Sequence, residues 1–262
     1  MLSCTIFTLR NKRGNGMNQL FNMENPFFQA INKFIDMVST SFIYSLFLGP
    51  MIFMGYVTVQ NGPYLLYLAL FTLTSFLFGP VATGLYYAVV KVIRRERGYA
   101  IREFFRSFKL NFKQAALISL IYGFLSALLY FDYKYVIAAN EVEESTMNTI
   151  MLIGFNIAVI LMVLTMTYIF PVLSRFTLTI KQLFKNSLLM SIRHLPSTLL
   201  MILINGVGIF LVWGFWPFPL FCIVPAVCML LDSLLMERIF KKYMPESEGN
   251  PEETGRDEWY LE

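Results

Sequence analysis

Few side chains in this sequence could do chemistry, and their spacing narrows the choice further. His194 is the single histidine, and it sits between Arg193 and Pro196 with no carboxylate close in sequence. A nucleophilic triad needs a base that a third group orients, so His194 reads as an interfacial residue. Of the three cysteines, Cys222 and Cys228 stand six apart in one apolar run and Cys4 lies far away. That set suits neither a disulfide framework nor a zinc site, and buried thiols behave as small hydrophobes. The sequence has no phosphate-binding loop, nucleophile elbow, H-E-x-x-H or dinucleotide-binding glycine pattern. We therefore expect no catalytic residue, no cofactor, no metal and no enzymatic activity.

One acid stands out. Asp232 follows Val227-Cys228-Met229-Leu230-Leu231 and precedes Ser233-Leu234-Leu235-Met236. A carboxylate facing lipid at that depth costs about 2–3 kcal/mol even on lenient insertion scales. It should therefore turn inward and be paired. Arg175, just past Pro171, is the expected partner because its fork grips a carboxylate with two hydrogen bonds. Arg193 and Lys91 are the other cations at inner ends. The pair would be a clamp between two helices or, on the functional reading, a proton or solute site.

The elements that must hold these residues follow from where charge is missing. The chain of 262 residues is 56% hydrophobic and 15% charged, against roughly 25% charged in soluble domains. No charged residue falls in 37–90, 114–131, 145–174 or 194–231, together more than half the chain. A bilayer asks for about 20 apolar residues per helical span, and no soluble core needs such runs. The fold class is all-α, a polytopic helical membrane protein. Asn61-Gly62-Pro63 divides the first run, and the prolines of residues 213–219 (WGFWPFP) divide the last. Six spans result, at about 36–59, 64–93, 115–131, 147–173, 197–212 and 218–236. A single broken span over 194–236 is the alternative.

Charge then sets orientation. If six spans alternate, every Lys and Arg except Lys134 falls on one side, which the positive-inside rule makes cytoplasmic. Both termini are expected there. The net charge of +4 is thus a membrane protein's cytoplasmic bias, directed at an anionic inner leaflet and not at nucleic acid. Within 99–113, Ile101, Phe104, Phe105, Phe108 and Phe112 share one helical face, and Arg102, Arg106, Lys109 and Lys113 the other. This pattern predicts a basic amphipathic helix in the inner headgroup region, phenylalanines toward lipid. Phe176, Ile180 and Phe184 with Lys181 and Lys185 form a weaker version. Each follows a span with an internal proline, Pro80 and Pro171, so spans 2–3 and 4–5 read as a degenerate parallel repeat. Pro50 and Pro225 also fall inside spans. All four are kink positions, either packing kinks or hinges around a solute path.

The ends differ from the rest. Residues 1–16 read as a disordered or non-native extension, with Met17 as the native start. The helical membrane domain then covers 17–244. Residues 245–262 carry seven acids against Arg256 and read as an acidic, disordered cytoplasmic tail.

Three blocks carry a family resemblance: MNQLFNMENPFFQAINKFIDM (17–37), FGPVATGLYYAVVKVIRRERGYAIREFFRSFKLNFKQA (78–115) and FPVLSRFTLTIKQLFKNSLLMSIRHLPSTL (170–199). Over these the chain resembles the YesL family of small bacterial integral membrane proteins, whose function is not established. Matching positions are Asn25, Pro26, Gly79, Pro80, Tyr86, Lys91, Gly98, Phe105, Phe108, Pro171, Arg175 and Phe176. The longer interval between Pro50 and Pro80 departs from the family pattern. The resemblance implies a multi-pass protein of the bacterial plasma membrane, often encoded beside carbohydrate ABC transporters and sensor-kinase systems, and it implies no catalytic residues. A non-enzymatic accessory or regulatory component of carbohydrate uptake or sensing is therefore expected. The alternative is a small-solute transporter with a path between proline-kinked helices.

Overall fold

The computed structural model describes residues 26–61, 65–94, 99–142, 145–215 and 222–243, and every regular element among them is helical. α1 (Pro26–Asn61) is followed by α2 (Leu65–Thr74), which passes through a 3₁₀ turn at Ser75–Leu77 into α3 (Phe78–Ala88). α3 runs on into a π-helical turn at Val89–Arg94. Then come α4 (Ala100–Val142), α5 (Thr146–Arg175), α6 (Ile180–Arg193), α7 (Leu195–Phe215) and α8 (Val224–Phe240). Among the described residues, five helices are long and apolar enough to cross a membrane: Gln29–Asn61, Leu65–Arg94, Ala100–Glu141, Thr146–Arg175 and Leu195–Val212. Helices suit that setting because lipid offers backbone groups no partner.

α3 is the axis of the bundle. Every residue from Gly79 to Ile93 is buried, and small residues make this possible. A Cβ at Gly84 would stand 3.0 Å from the Phe104 carbonyl of α4. One at Gly79 would collide with Ser119 Oγ, the Ala115 carbonyl and the Phe170 ring. Such small positions let backbones approach where no hydrophobic force drives helices together. Hydroxyl groups complete the seam. The Gly79 N–H donates to Ser119 Oγ at 2.6 Å, and Ser119 Oγ donates to the Ala115 carbonyl at 2.9 Å. Ser75 Oγ donates to the Ser119 carbonyl at 3.2 Å and Ser107 Oγ to that of Thr83 at 3.4 Å.

α8 lies differently. Near its start, Ser41 Oγ of α1 accepts from the Ala226 N–H at 2.8 Å and donates to the Ile223 carbonyl at 3.3 Å. Midway, Arg94 donates to the Ser233 carbonyl at 2.9 Å. Near its end, Glu237 receives Tyr86 and Arg175. The end of the bundle that holds the π turn and the last turn of α5 is here called the basic end. α8 therefore meets α1, the π turn and α5 in turn. α7 lies antiparallel to it, Asn205 meeting Asp232 and Ile204 meeting Cys228.

Several expectations need correction. Of the sixth span, 218–236, the structure describes α8, 17 residues from Val224, which is not among the five helices long and apolar enough to cross a membrane, and residues 218–221 lie outside those described. Pro225 is not a kink, because it occupies the first turn of α8, where a missing N–H costs nothing. Pro50 and Pro171 do lie inside helices, α1 and α5, while Pro80 follows the 3₁₀ turn that joins α2 to α3. The 99–113 segment is not a separate interfacial helix. It is the start of α4, which continues for 43 residues, about 65 Å at 1.5 Å per residue. Its phenylalanines face protein: Phe104 is fully buried, and Phe108 packs on Phe47 of α1 with ring centroids 5.8 Å apart. Phe105 packs edge-on to Phe104, while Arg102, Arg106 and Lys109 are exposed on the other face. The amphipathic pattern was real, but the apolar face meets α3 and α1 in place of lipid. The weaker version is the discrete helix: α6, started by a Thr179/Gln182 capping box, buries Leu183 and Met190 and exposes Lys181 and Lys185. Residues 1–16, Met17 and 245–262 lie outside the described residues.

Candidate functional site

The basic end gathers charged side chains that a bilayer-facing bundle would otherwise avoid. Arg175 is the last residue of α5, a position where the helix's partial negative charge favours a cation. Its guanidinium is wholly buried, as is nearly all of the Glu237 carboxylate. The Arg175 Nε–H donates to Glu237 Oε1 at 3.0 Å and its Nη2 to Oε2, a two-pronged grip. The Tyr86 hydroxyl donates to the same Oε1 at 3.0 Å. One carboxylate thus ties α3, α5 and α8 together. The Phe240 ring caps the cluster, edge-on to Tyr86 and to Phe176 with centroids 6.5 and 5.6 Å away.

A second buried pair lies on the α4 side. Lys91 Nζ donates to Glu103 Oε2 at 3.0 Å, and both side chains are 9% exposed. Lys91 also sits 5.4 Å from the Tyr87 ring centroid, within cation–π range. It belongs to the π turn, where wider winding shifts the register of a helix face. Glu103 stands in the first turn of α4, where the helix N-terminus stabilises a negative charge. Arg106 Nη1 approaches the same carboxylate at 3.9 Å. The two pairs and the Arg94–Ser233 bond connect α3, α4, α5 and α8 at one level.

This arrangement can hold elements in place. Each charge of these two pairs has its opposite within contact distance, the condition under which such burial is tolerated. No group of three or more His, Cys, Asp or Glu suited to a metal ion occurs among the described residues. The expected Asp232–Arg175 pair does not form. Arg175 goes to Glu237, and Asp232 accepts from Asn205 Nδ2 at 2.6 Å. The reason is angular: five residues along α8 turn the side chain roughly 140° round the axis, so Asp232 faces α7 while Glu237 faces α3 and α5. Glu237, Glu103 and Tyr86 were not singled out as partners. Glu103 did carry a signal, as the only acid among the cations of 99–113. Glu237 carried one too, since Ser233, Glu237 and Phe240 recur at one-turn spacing and form a buried stripe.

No curated protein and no solved structure matches the chain. Residues 59–133 match a family model described as "Protein of unknown function, DUF624". That stretch holds α2, α3, the π turn and most of α4, and with them the Lys91–Glu103 pair. In its central helix pair, the chain is similar to a family of proteins of unknown function.

Proposed function

We propose that this chain is a multi-pass protein of the bacterial cell membrane, acting without catalysis as an accessory or regulatory component of carbohydrate uptake or sensing. The observation favouring this over transport is the filling of the bundle axis by α3. Gly79 and Gly84 are closed off by Ser119, Phe170 and Phe104, so the place where a path would run holds a helix. Among the described residues, the nearby Lys91, Glu103, Arg175 and Glu237 are engaged with each other. The link to permease subunits or a sensor kinase rests on the resemblance to the YesL family. α1 begins and α8 ends at the basic end, in keeping with an even number of crossings, six if the α7–α8 hairpin contributes two. With the basic end cytoplasmic, exposed Arg102, Lys109, Lys181 and Lys185 meet anionic headgroups.

Two experiments test the reading. A cysteine placed at Asn61 or Thr146 should react with an impermeant thiol reagent in intact cells, and one at Lys109 should not; labelling at Lys109 would reverse the orientation. Purified protein in vesicles should pass no sugar by itself, and permease or sensor-kinase subunits should co-purify with it from detergent. Solute flux by the protein alone would establish the transporter instead.

A further inference from the structure

Asp232 is left over from the charge pairing. It is 5% exposed, and no donor among the described residues reaches its Oδ1, while its Oδ2 accepts from Asn205. We propose that Asp232 is a proton-binding site in the seam between α7 and α8, held as the neutral acid with the proton on Oδ1. Ionisation sends that proton to bulk base and leaves a buried carboxylate, which loosens the seam.

Among the described residues, no cation pairs with Asp232 to hold the ionised form. From α7 the site meets the amide of Asn205 and, further along, Thr198, whose hydroxyl is shared with Tyr168 of α5 at 3.0 Å. Arg175 of α5 is taken by Glu237, and Arg94 and Lys91 of the π turn by the Ser233 carbonyl and Glu103. On α8 itself stand Cys228, whose thiol donates to the Ile204 carbonyl at 3.8 Å, and Glu237, already paired. Arg193 and His194, ahead of α7, are directed at Tyr243. A buried carboxylate with one amide donor and no counter-ion is far costlier ionised than protonated. The division of labour on its oxygens agrees. An N–H donor fixes Oδ2 as the carbonyl-like oxygen and leaves Oδ1 for the proton.

The test compares the full chain in detergent micelles as native, Asp232→Asn and Asp232→Ala. Infrared difference spectra against pH should show a protonated-carboxyl band near pH 6 in the native protein that is missing from Asp232→Asn. Asp232→Asn, an amide of the same shape, should match native stability at pH 5. Above the usual carboxylate range, the native folding equilibrium should fall relative to that variant, by up to tenfold per pH unit until Asp232 ionises. Asp232→Ala should be weakened at every pH. The absence of an Asp232-dependent carboxyl band would overturn the proposal, as would an Asp232→Asn variant as damaged as Asp232→Ala. Sodium ion alone, added at fixed pH, should change nothing; a sodium-dependent gain lost in Asp232→Asn would make this a cation site instead.

Discussion

α3 and the outer two-thirds of α5 look alike as apolar sequence, yet nearly every residue of one is buried and no residue of the other is fully so. Gly79 through Ile93 are all buried, while no residue from Thr146 to Thr167 is. The stretch through α5 is the more apolar of the two, so hydropathy does not decide which helix goes inside. In a bilayer lipid tails solvate leucine as well as a protein core does, and close backbone approach with hydrogen bonding takes over. α3 supplies that approach with Gly79, Ala82, Gly84 and Ala88, and its neighbours supply the hydroxyls of Ser75, Ser107 and Ser119. Outer α5 offers Ile150, Met151, Ile153, Ile157 and Ile160, all exposed, and a Cβ at Gly154 would meet nothing within 4 Å.

The strongest way to break the comparison is to unlock the buried end of α3. Glu237→Ala strands the Arg175 guanidinium, and Arg175→Ala strands the carboxylate. Each should cost about 3–5 kcal/mol, the range for removing one member of a buried ion pair, in denaturant unfolding from micelles. The double variant should lose much less than the sum, because the two share one interaction. Asp232→Ala combined with Arg175→Ala should come close to additive, since these residues belong to different contacts. Strong coupling between Asp232 and Arg175 would mean that the two pairs have been misassigned.

A glycine comparison sharpens the same contrast at smaller scale. Gly79→Ala puts a methyl group against the Ala115 backbone, which cannot swing aside, and should cost about 1–3 kcal/mol by overpacking. Gly154→Ala should stay within about 0.5 kcal/mol of neutral or gain slightly, because alanine is the better helix former. Equal effects at the two sites would show that outer α5 is covered in micelles, for instance by a second protein.

Much of this architecture was legible from the sequence. The charge-free runs located the five long helices because charge is what a bilayer excludes most strongly. What failed were decisions that depend on a neighbour. Phe104, Phe105 and Phe108 mark an apolar face, but nothing in their spacing says whether lipid or α3 covers it. Asp232 and Glu237 are both acids near the end of one apolar run, and only the rotation of α8 assigns Arg175 to the second.

The smallest expected effect lies where the α7–α8 hairpin closes. His194 Nε2 and the Tyr243 hydroxyl are 3.3 Å apart, and the Arg193 guanidinium lies 5.9 Å from the Tyr243 ring centroid. Partial burial, then the Lys242 and Arg193 cations, hold the His194 imidazole below its ordinary pKa of 6.5. The folded state therefore binds this proton less readily than the unfolded chain does. Stability from His194 is complete above pH 6.5 and is lost as pH falls through that value toward the folded one. Because the ring is mostly exposed, the slope should be shallow. His194→Gln should flatten it in unfolding midpoints measured between pH 5 and 7.5. Asp232 works in the opposite direction over an overlapping range, so the comparison belongs in an Asp232→Asn background, where only the histidine slope remains. A slope that survives His194→Gln there would place the titrating group elsewhere and leave the His194–Tyr243 contact without a measurable role.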